Sequence, residues 1–165
     1  MQVTFETSKG AFTIELDPAG APKTVENFLA YVDGKHYDGT IFHRVIPGFM
    51  AQGGGYDAKY DKKPVRAPVE NEARADAKNV RGTVAMARTS DPHSATAQFF
   101  VNVNDNTSLD HTAKNERGFG YCVFGRVTDS MQVVDKIVHA PTGAQGPFSK
   151  DAPIDPIVIT SARRG

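Results

Sequence analysis

Short strand-like apolar runs, alternating with polar residues in the first two, recur along most of this chain. Glycine, proline or aspartate cuts each one off, and only two segments break into a helical period. Val3–Thr7 and Ala11–Leu16 alternate on either side of Ser8-Lys9-Gly10. They predict a hairpin whose buried face is Val3, Phe5, Phe12, Ile14 and Leu16. Val25, Phe28, Leu29 and Val32 fall at i, i+3, i+4 and i+7. That spacing predicts a helix over Pro22–Asp33, with Pro22 in the first turn and Gly34 at C′. Strands follow at Ile41–Val45 and Phe49–Gln52 around the Pro47-Gly48 turn, then at Gly82–Ala87, Gln98–Val103, Cys122–Val127 and Ile157–Ala162. Met131, Val134, Ile137 and Val138 mark a second helix with Asp129 as its N-cap. Gly53-Gly54-Gly55 opens a long polar excursion to Asn79 that holds a short strand near Val69–Asn71, and Pro141–Pro156 reads as loop. No βαβ alternation is present, so a mainly β domain over residues 1–165 is expected, an antiparallel barrel or sandwich capped by two helices.

Composition removes several functions. Lys+Arg and Asp+Glu both number 19, which argues against a nucleic-acid binder. The lone cysteine, Cys122, permits no intrachain disulfide and no all-cysteine zinc site. No apolar run reaches the roughly 18–20 residues of a membrane span. The start Met1-Gln2-Val3-Thr4-Phe5-Glu6 lacks the basic and apolar regions of a secretory signal, so a cytoplasmic location is expected. There is no phosphate-binding Gly-x-x-x-x-Gly-Lys, no Gly-x-Ser-x-Gly and no paired-histidine metal motif. Asn102-x-Asn104-x-Asn106 lacks the glycine and glutamate of a calcium loop.

Two segments carry candidate chemistry. In Phe42-His43-Arg44-Val45-Ile46-Pro47-Gly48-Phe49-Met50-Ala51-Gln52-Gly53-Gly54 an arginine interrupts an apolar strand. Strict alternation sets Phe42 and Arg44 on one face and sends His43 to the other, into the barrel. Arg44 beside Phe49 and Met50 reads either as a fixed cation in an apolar pocket or as a surface arginine packing its stem on apolar neighbours. Met86-Ala87-Arg88 and Ser94-Ala95-Thr96-Ala97-Gln98-Phe99-Phe100 supply small residues that let another chain approach, or an ordinary strand entry.

With Gly82–Arg88 and Gly120-Tyr121-Cys122-Val123-Phe124-Gly125 added, these motifs make the sequence resemble the cyclophilin family of peptidyl-prolyl isomerases, in its bacterial cytoplasmic form. The resemblance covers nearly the whole chain. It implies an eight-stranded antiparallel β-barrel closed by two α-helices, with the catalytic surface outside the barrel. It implies that Arg44 is catalytic, and that Phe49, Met50, Phe100 and Leu109 floor and wall a proline pocket. Gln52 and Gln98 become its polar rim, and Ala87 and Arg88 the stretch that pairs with the peptide backbone. Tyr121 completes the site where many relatives have histidine. Arg88 stands where asparagine is common, and Ser108 where an aromatic is expected, so cyclosporin binding should be weak. The implied partners are X–Pro peptides and unfolded proteins, acted on by a monomer without cofactor or metal. A proline-peptide binding module or holdase with incidental isomerisation is the alternative, separable by a turnover assay.

Overall fold

The computed structural model describes residues 1–165. Ten strands and two helices follow one another as β1 (Gln2–Thr7), β2 (Gly10–Leu16), α1 (Pro22–Asp33), β3 (Thr40–Ile46), β4 (Met50–Asp57), β5 (Thr83–Met86), β6 (Phe99–Asn102), β7 (Val123–Asp129), α2 (Met131–Val138), β8 (Thr142–Gln145), β9 (Phe148–Pro153) and β10 (Val158–Arg164). Eight of the strands close a barrel in the order β1-β10-β3-β4-β6-β5-β7-β2, every pair antiparallel, and β2 returns to β1. The expected eight-stranded barrel with two helices is therefore the fold.

Period-two alternation decides what fills it. Val3, Phe5, Phe12 and Ile14 point inward and are at most 1% exposed. Phe5 stacks on Phe12 at 5.1 Å between centroids, and Phe28 from α1 reaches Phe5, Phe99 and Phe124. Val133, Val134, Ile137 and Val138 of α2 join the same 31-residue core. At roughly 1.5–3 kcal/mol per buried large apolar side chain, this interior supplies the stability that disulfides cannot.

Several local expectations need correction. The left-handed position after α1 is Lys35 (φ 59°), not Gly34, whose φ is −79°. The His36 amide donates to Tyr31 O and the Lys35 amide to Val32 O, a Schellman closure one residue later than expected. Asp129 ends β7, and Ser130, at φ 66°, is the residue that precedes α2. The glycine triplet lies within β4 rather than opening a loop. A Cβ on Gly54, at φ +92°, would sit 2.8 Å from the Tyr37 ring, so only glycine fits there. Val69 makes only a single bridge, to Ala95. Pro141–Pro156, read as loop, contains the β8–β9 hairpin, which packs against the outside of β3.

The most consequential correction concerns β3. Phe42 pairs with Gly53 and Arg44 with the adjacent Gln52, leaving His43 as the extra residue of a β-bulge. Strict alternation fails there. Phe42 faces the core against Phe99, while His43 stacks on Phe148 of the outer hairpin at 5.1 Å. His43 is thus buried outside the barrel wall, and Arg44 stays exposed beside it.

Candidate active site

The outer faces of β4, β6 and β5 build the site. Met50, Gln52, Phe100 and Ala85 point away from the core because their neighbours Ala51, Phe99, Val101, Val84 and Met86 point into it. Register sets Gln52 opposite Phe100 and Phe100 opposite Ala85. Met50, Ala85 and Phe100 form a second apolar cluster, with Phe49, Ala87, Leu109 and Tyr121 packed around it. The ring of Tyr121 meets that of Phe100 edge-on at 5.6 Å.

The Pro47-Gly48 turn fixes the rim. Phe49 N–H donates to Ile46 O at 3.0 Å across a type II turn, with proline at i+1 and Gly48 at φ +75°. Arg44, Phe49, Met50, Gln52, Ala87, Arg88, Phe100, Leu109 and Tyr121 then surround one cavity of about 170 Å³. That is below the roughly 300–1,000 Å³ of drug-sized ligand sites and suits one side chain of a larger molecule. Gln98, the remaining sequence-predicted residue, lies one step back. Arg44 Nη1 donates to Gln52 Oε1 at 3.4 Å, and Gln52 Nε2 donates to Gln98 Oε1 at 3.0 Å. Gly55 makes room for that relay, since a Cβ there would come within 2.5 Å of Gln98 Cγ.

Arg88 is held differently from Arg44. Its Nε and Nη2 donate to Gly120 O at 3.2 and 3.0 Å, and its Nη1 to Thr89 O at 2.8 Å. The guanidinium lies 4.6 Å from the Tyr121 ring centre, within cation–π range. Ser108 lines a neighbouring cleft rather than the cavity itself.

The buried asparagines of the region did not register as site residues in the sequence. Asn102 Nδ2 donates to Asn79 Oδ1 at 3.1 Å and to Thr83 Oγ1 at 2.9 Å. Asn106 Nδ2 donates to Asn102 Oδ1 and to Phe49 O, and Asn79 Nδ2 to Leu109 O. This network clamps the backbone of two cavity residues, Phe49 and Leu109. The Asn-x-Asn-x-Asn pattern was its only trace, and Asn104 takes no part in it.

Near the cavity, burial dominates the one strongly displaced titration. The His43 imidazole is pushed down to about 4, first by burial and then by the adjacent Arg44 charge. Its Nδ1 has no hydrogen-bond partner. Among the cavity-lining side chains there is no carboxylate, imidazole, thiol or aliphatic hydroxyl. The site is thus an apolar seat on the outer wall of a closed barrel, with the Arg44 and Arg88 guanidiniums at its edge and room for one side chain of a larger molecule.

Comparison with known proteins gives the family. The model of the cyclophilin type peptidyl-prolyl cis-trans isomerases matches residues 2–164. A peptidyl-prolyl cis-trans isomerase of Streptomyces antibioticus is 56% identical over 161 residues, covering 98% of this chain and 96% of the relative. Peptidyl-prolyl cis-trans isomerase B of Escherichia coli is 50% identical over 159 residues, covering 96% of both. A Cryptosporidium parvum cyclophilin-type isomerase, crystallised in the presence of the dipeptide Ala-Pro, superposes with TM-score 0.80 at 25% identity. It covers 100% of this chain and 99% of its own. The chain belongs to the cyclophilin-type peptidyl-prolyl cis-trans isomerases, and it is an enzyme that accelerates rotation about X–Pro bonds.

Proposed function

We propose that the cavity seats the proline ring and that Arg44 stabilises the twisted state of the X–Pro bond. The carrying observation is the placement of an exposed guanidinium, oriented by the Gln52–Gln98 relay, at the edge of an apolar seat sized for one side chain. The peptide bond resists rotation by about 18–20 kcal/mol because nitrogen shares its lone pair with the carbonyl. Rotation localises that pair on nitrogen. A guanidinium is a rigid, permanently charged donor, and directed at the localised pair it favours the twisted state over either planar one. Phe49, Met50, Phe100 and Leu109 keep the ring dry, which strengthens the electrostatic contact. A 10⁵-fold acceleration needs about 7 kcal/mol. One charged hydrogen bond gives ~1.5–3 kcal/mol, so the rest comes from dehydration and from holding the flanking peptide. For that grip the Arg88 N–H is free of any partner within the protein, while the Ala87 N–H is taken by Gln98 O.

The substrates are X–Pro segments of unfolded or flexible proteins. Arg44→Ala should lower kcat/KM at least about tenfold, ~1.4 kcal/mol of transition-state stabilisation, measured by NMR exchange on a short X–Pro peptide. The melting temperature should move by no more than a few degrees, because the side chain is exposed. Near-normal turnover in Arg44→Ala would refute this role. Cyclosporin binding should be weak and should tighten by about an order of magnitude in Ser108→Trp, since an aromatic wall adds ~0.5–1.5 kcal/mol beyond its area. Equal affinity in titrations of the two proteins would count against the wall argument.

A further inference from the structure

A second cleft adjoins the proline cavity. It has a volume of about 510 Å³ and is lined by Arg88, Ser90, Ser108, Glu116, Arg117 and Tyr121 together with Gly120. Arg88 and Tyr121 belong to both hollows, so the cleft continues the substrate surface. Ser108, small and exposed, leaves the passage between them open.

Its charge is unlike that of the chain. The whole protein is neutral, with Lys+Arg and Asp+Glu both at 19, whereas two arginines and one glutamate line this cleft. The seven ion pairs of the molecule include neither Arg88 nor Arg117. Arg88 is also pre-oriented. Its bonds to Gly120 O and Thr89 O and its stacking on Tyr121 hold the plane of the guanidinium. Those bonds occupy three of the five N–H groups that an arginine has, and both terminal nitrogens keep one to offer. A fixed guanidinium with free donors and a second arginine lining the same open cleft match a carboxylate.

We propose that this cleft is a subsite for an acidic side chain, so that the enzyme favours X–Pro segments carrying aspartate or glutamate close to the proline. The proposal rests on the neighbouring cavity being the proline seat. Arg88 anchors the carboxylate, Arg117 adds a second attraction, and the Ser90 and Ser108 hydroxyls supply further donors.

The test is a set of alanine-based X–Pro peptides with Glu or Gln at each of the three positions on either side of the proline, followed by NMR exchange. At one position or more, Glu should raise kcat/KM over Gln by about threefold or more, as expected of an exposed but pre-oriented pair. Arg117→Gln removes the second attraction while the Arg88 anchor stays, so it should lower that gain measurably and leave turnover of the Gln peptide unchanged. Raising the ionic strength to about 1 M, where the Debye length is about 3 Å, should shrink the gain as well. Equal turnover of Glu and Gln peptides at every position would overturn the subsite and leave the isomerase reading intact. A Glu preference unaffected by Arg117→Gln would overturn its assignment to this cleft. No turnover of any peptide would remove the underlying reading and the subsite with it.

Discussion

His43 and Arg44 adjoin in the bulge of β3 and meet opposite surroundings. Arg44 stands in water, while His43 lies between Tyr56 and Phe148 with its Nδ1 unpartnered. Burial holds the imidazole neutral down to about pH 4. In the unfolded chain it titrates near its ordinary value of about 6.5. Between those two values the unfolded state binds the extra proton, so stability rises with pH there. The contribution is complete above about 6.5, is lost as pH falls, and is gone below about 4. Its size is ~3 kcal/mol at one pKa unit per 1.36 kcal/mol. His36, also lowered by burial, acts in the same direction. The comparison is therefore between the parent and His43→Gln, unfolded in urea at several pH values. The parent should lose more stability between about pH 6.5 and 4 than the variant does. Parallel curves would show that His43 is not the group responsible. The same neutrality bears on catalysis. With His43 uncharged and no acid–base step in bond rotation, kcat/KM for an uncharged peptide should be flat from about pH 6 to 8.5. A step of about threefold near pH 6.5 that disappears in His43→Gln would make the histidine part of the chemistry.

At the scale of elements, the β8–β9 hairpin is the part that the sequence concealed. Thr142–Gln145 and Phe148–Pro153 show neither alternation nor β-branched runs, and glycine and proline interrupt them. The hairpin is held by where it docks, with Phe148 against His43, Tyr56 and Tyr60 on the barrel's outer wall. Long-range docking leaves no local period to read. The bulge at His43 was hidden for the same reason, because an inserted residue shows only once its partner strand is known. The β1–β2 hairpin and both helices, by contrast, announced themselves through periods of 2 and 3.6 residues, and the other barrel strands through apolar runs between turn residues, with β4 read only as far as Gln52. The cavity was legible because sequence motifs carried its residues, whereas the asparagine network beneath it was not. Asn102 and Asn106 share one stretch, but their partner Asn79 lies 23 residues before Asn102, and the network means nothing until the chain folds. Phe148→Ala should therefore act on the hairpin more than on the barrel. We expect a loss of ~1–3 kcal/mol and an upward move of the His43 titration toward its ordinary value as water reaches the ring, read by histidine NMR. An unmoved titration would mean that the hairpin is not what shields it.

Across the whole molecule, one sheet serves two purposes on its two faces, and adjacent residues of β6 separate them. Phe99 turns inward and meets Phe5, Phe28, Tyr37 and Phe42 at ring-centre distances of 5.3 to 6.0 Å. Phe100 turns outward, and its one aromatic neighbour is Tyr121. The inner cluster holds 31 buried residues and the outer one 3. Removing volume from the inner cluster leaves a cavity that packed surroundings cannot fill, whereas the shallow outer cluster can settle around a smaller side chain. Phe99→Leu should thus cost ~1–3 kcal/mol of stability, while kcat/KM at low temperature stays within about twofold of the parent. Phe100→Leu should cost less stability, under ~1 kcal/mol, but lower kcat/KM by about fivefold or more because the proposed proline seat loses its flat wall. Urea unfolding and NMR exchange on the same two proteins measure both quantities. If the two variants lost stability and activity in the same proportion, the faces would not be energetically separate. The outer site would then be part of the core rather than a surface mounted on it.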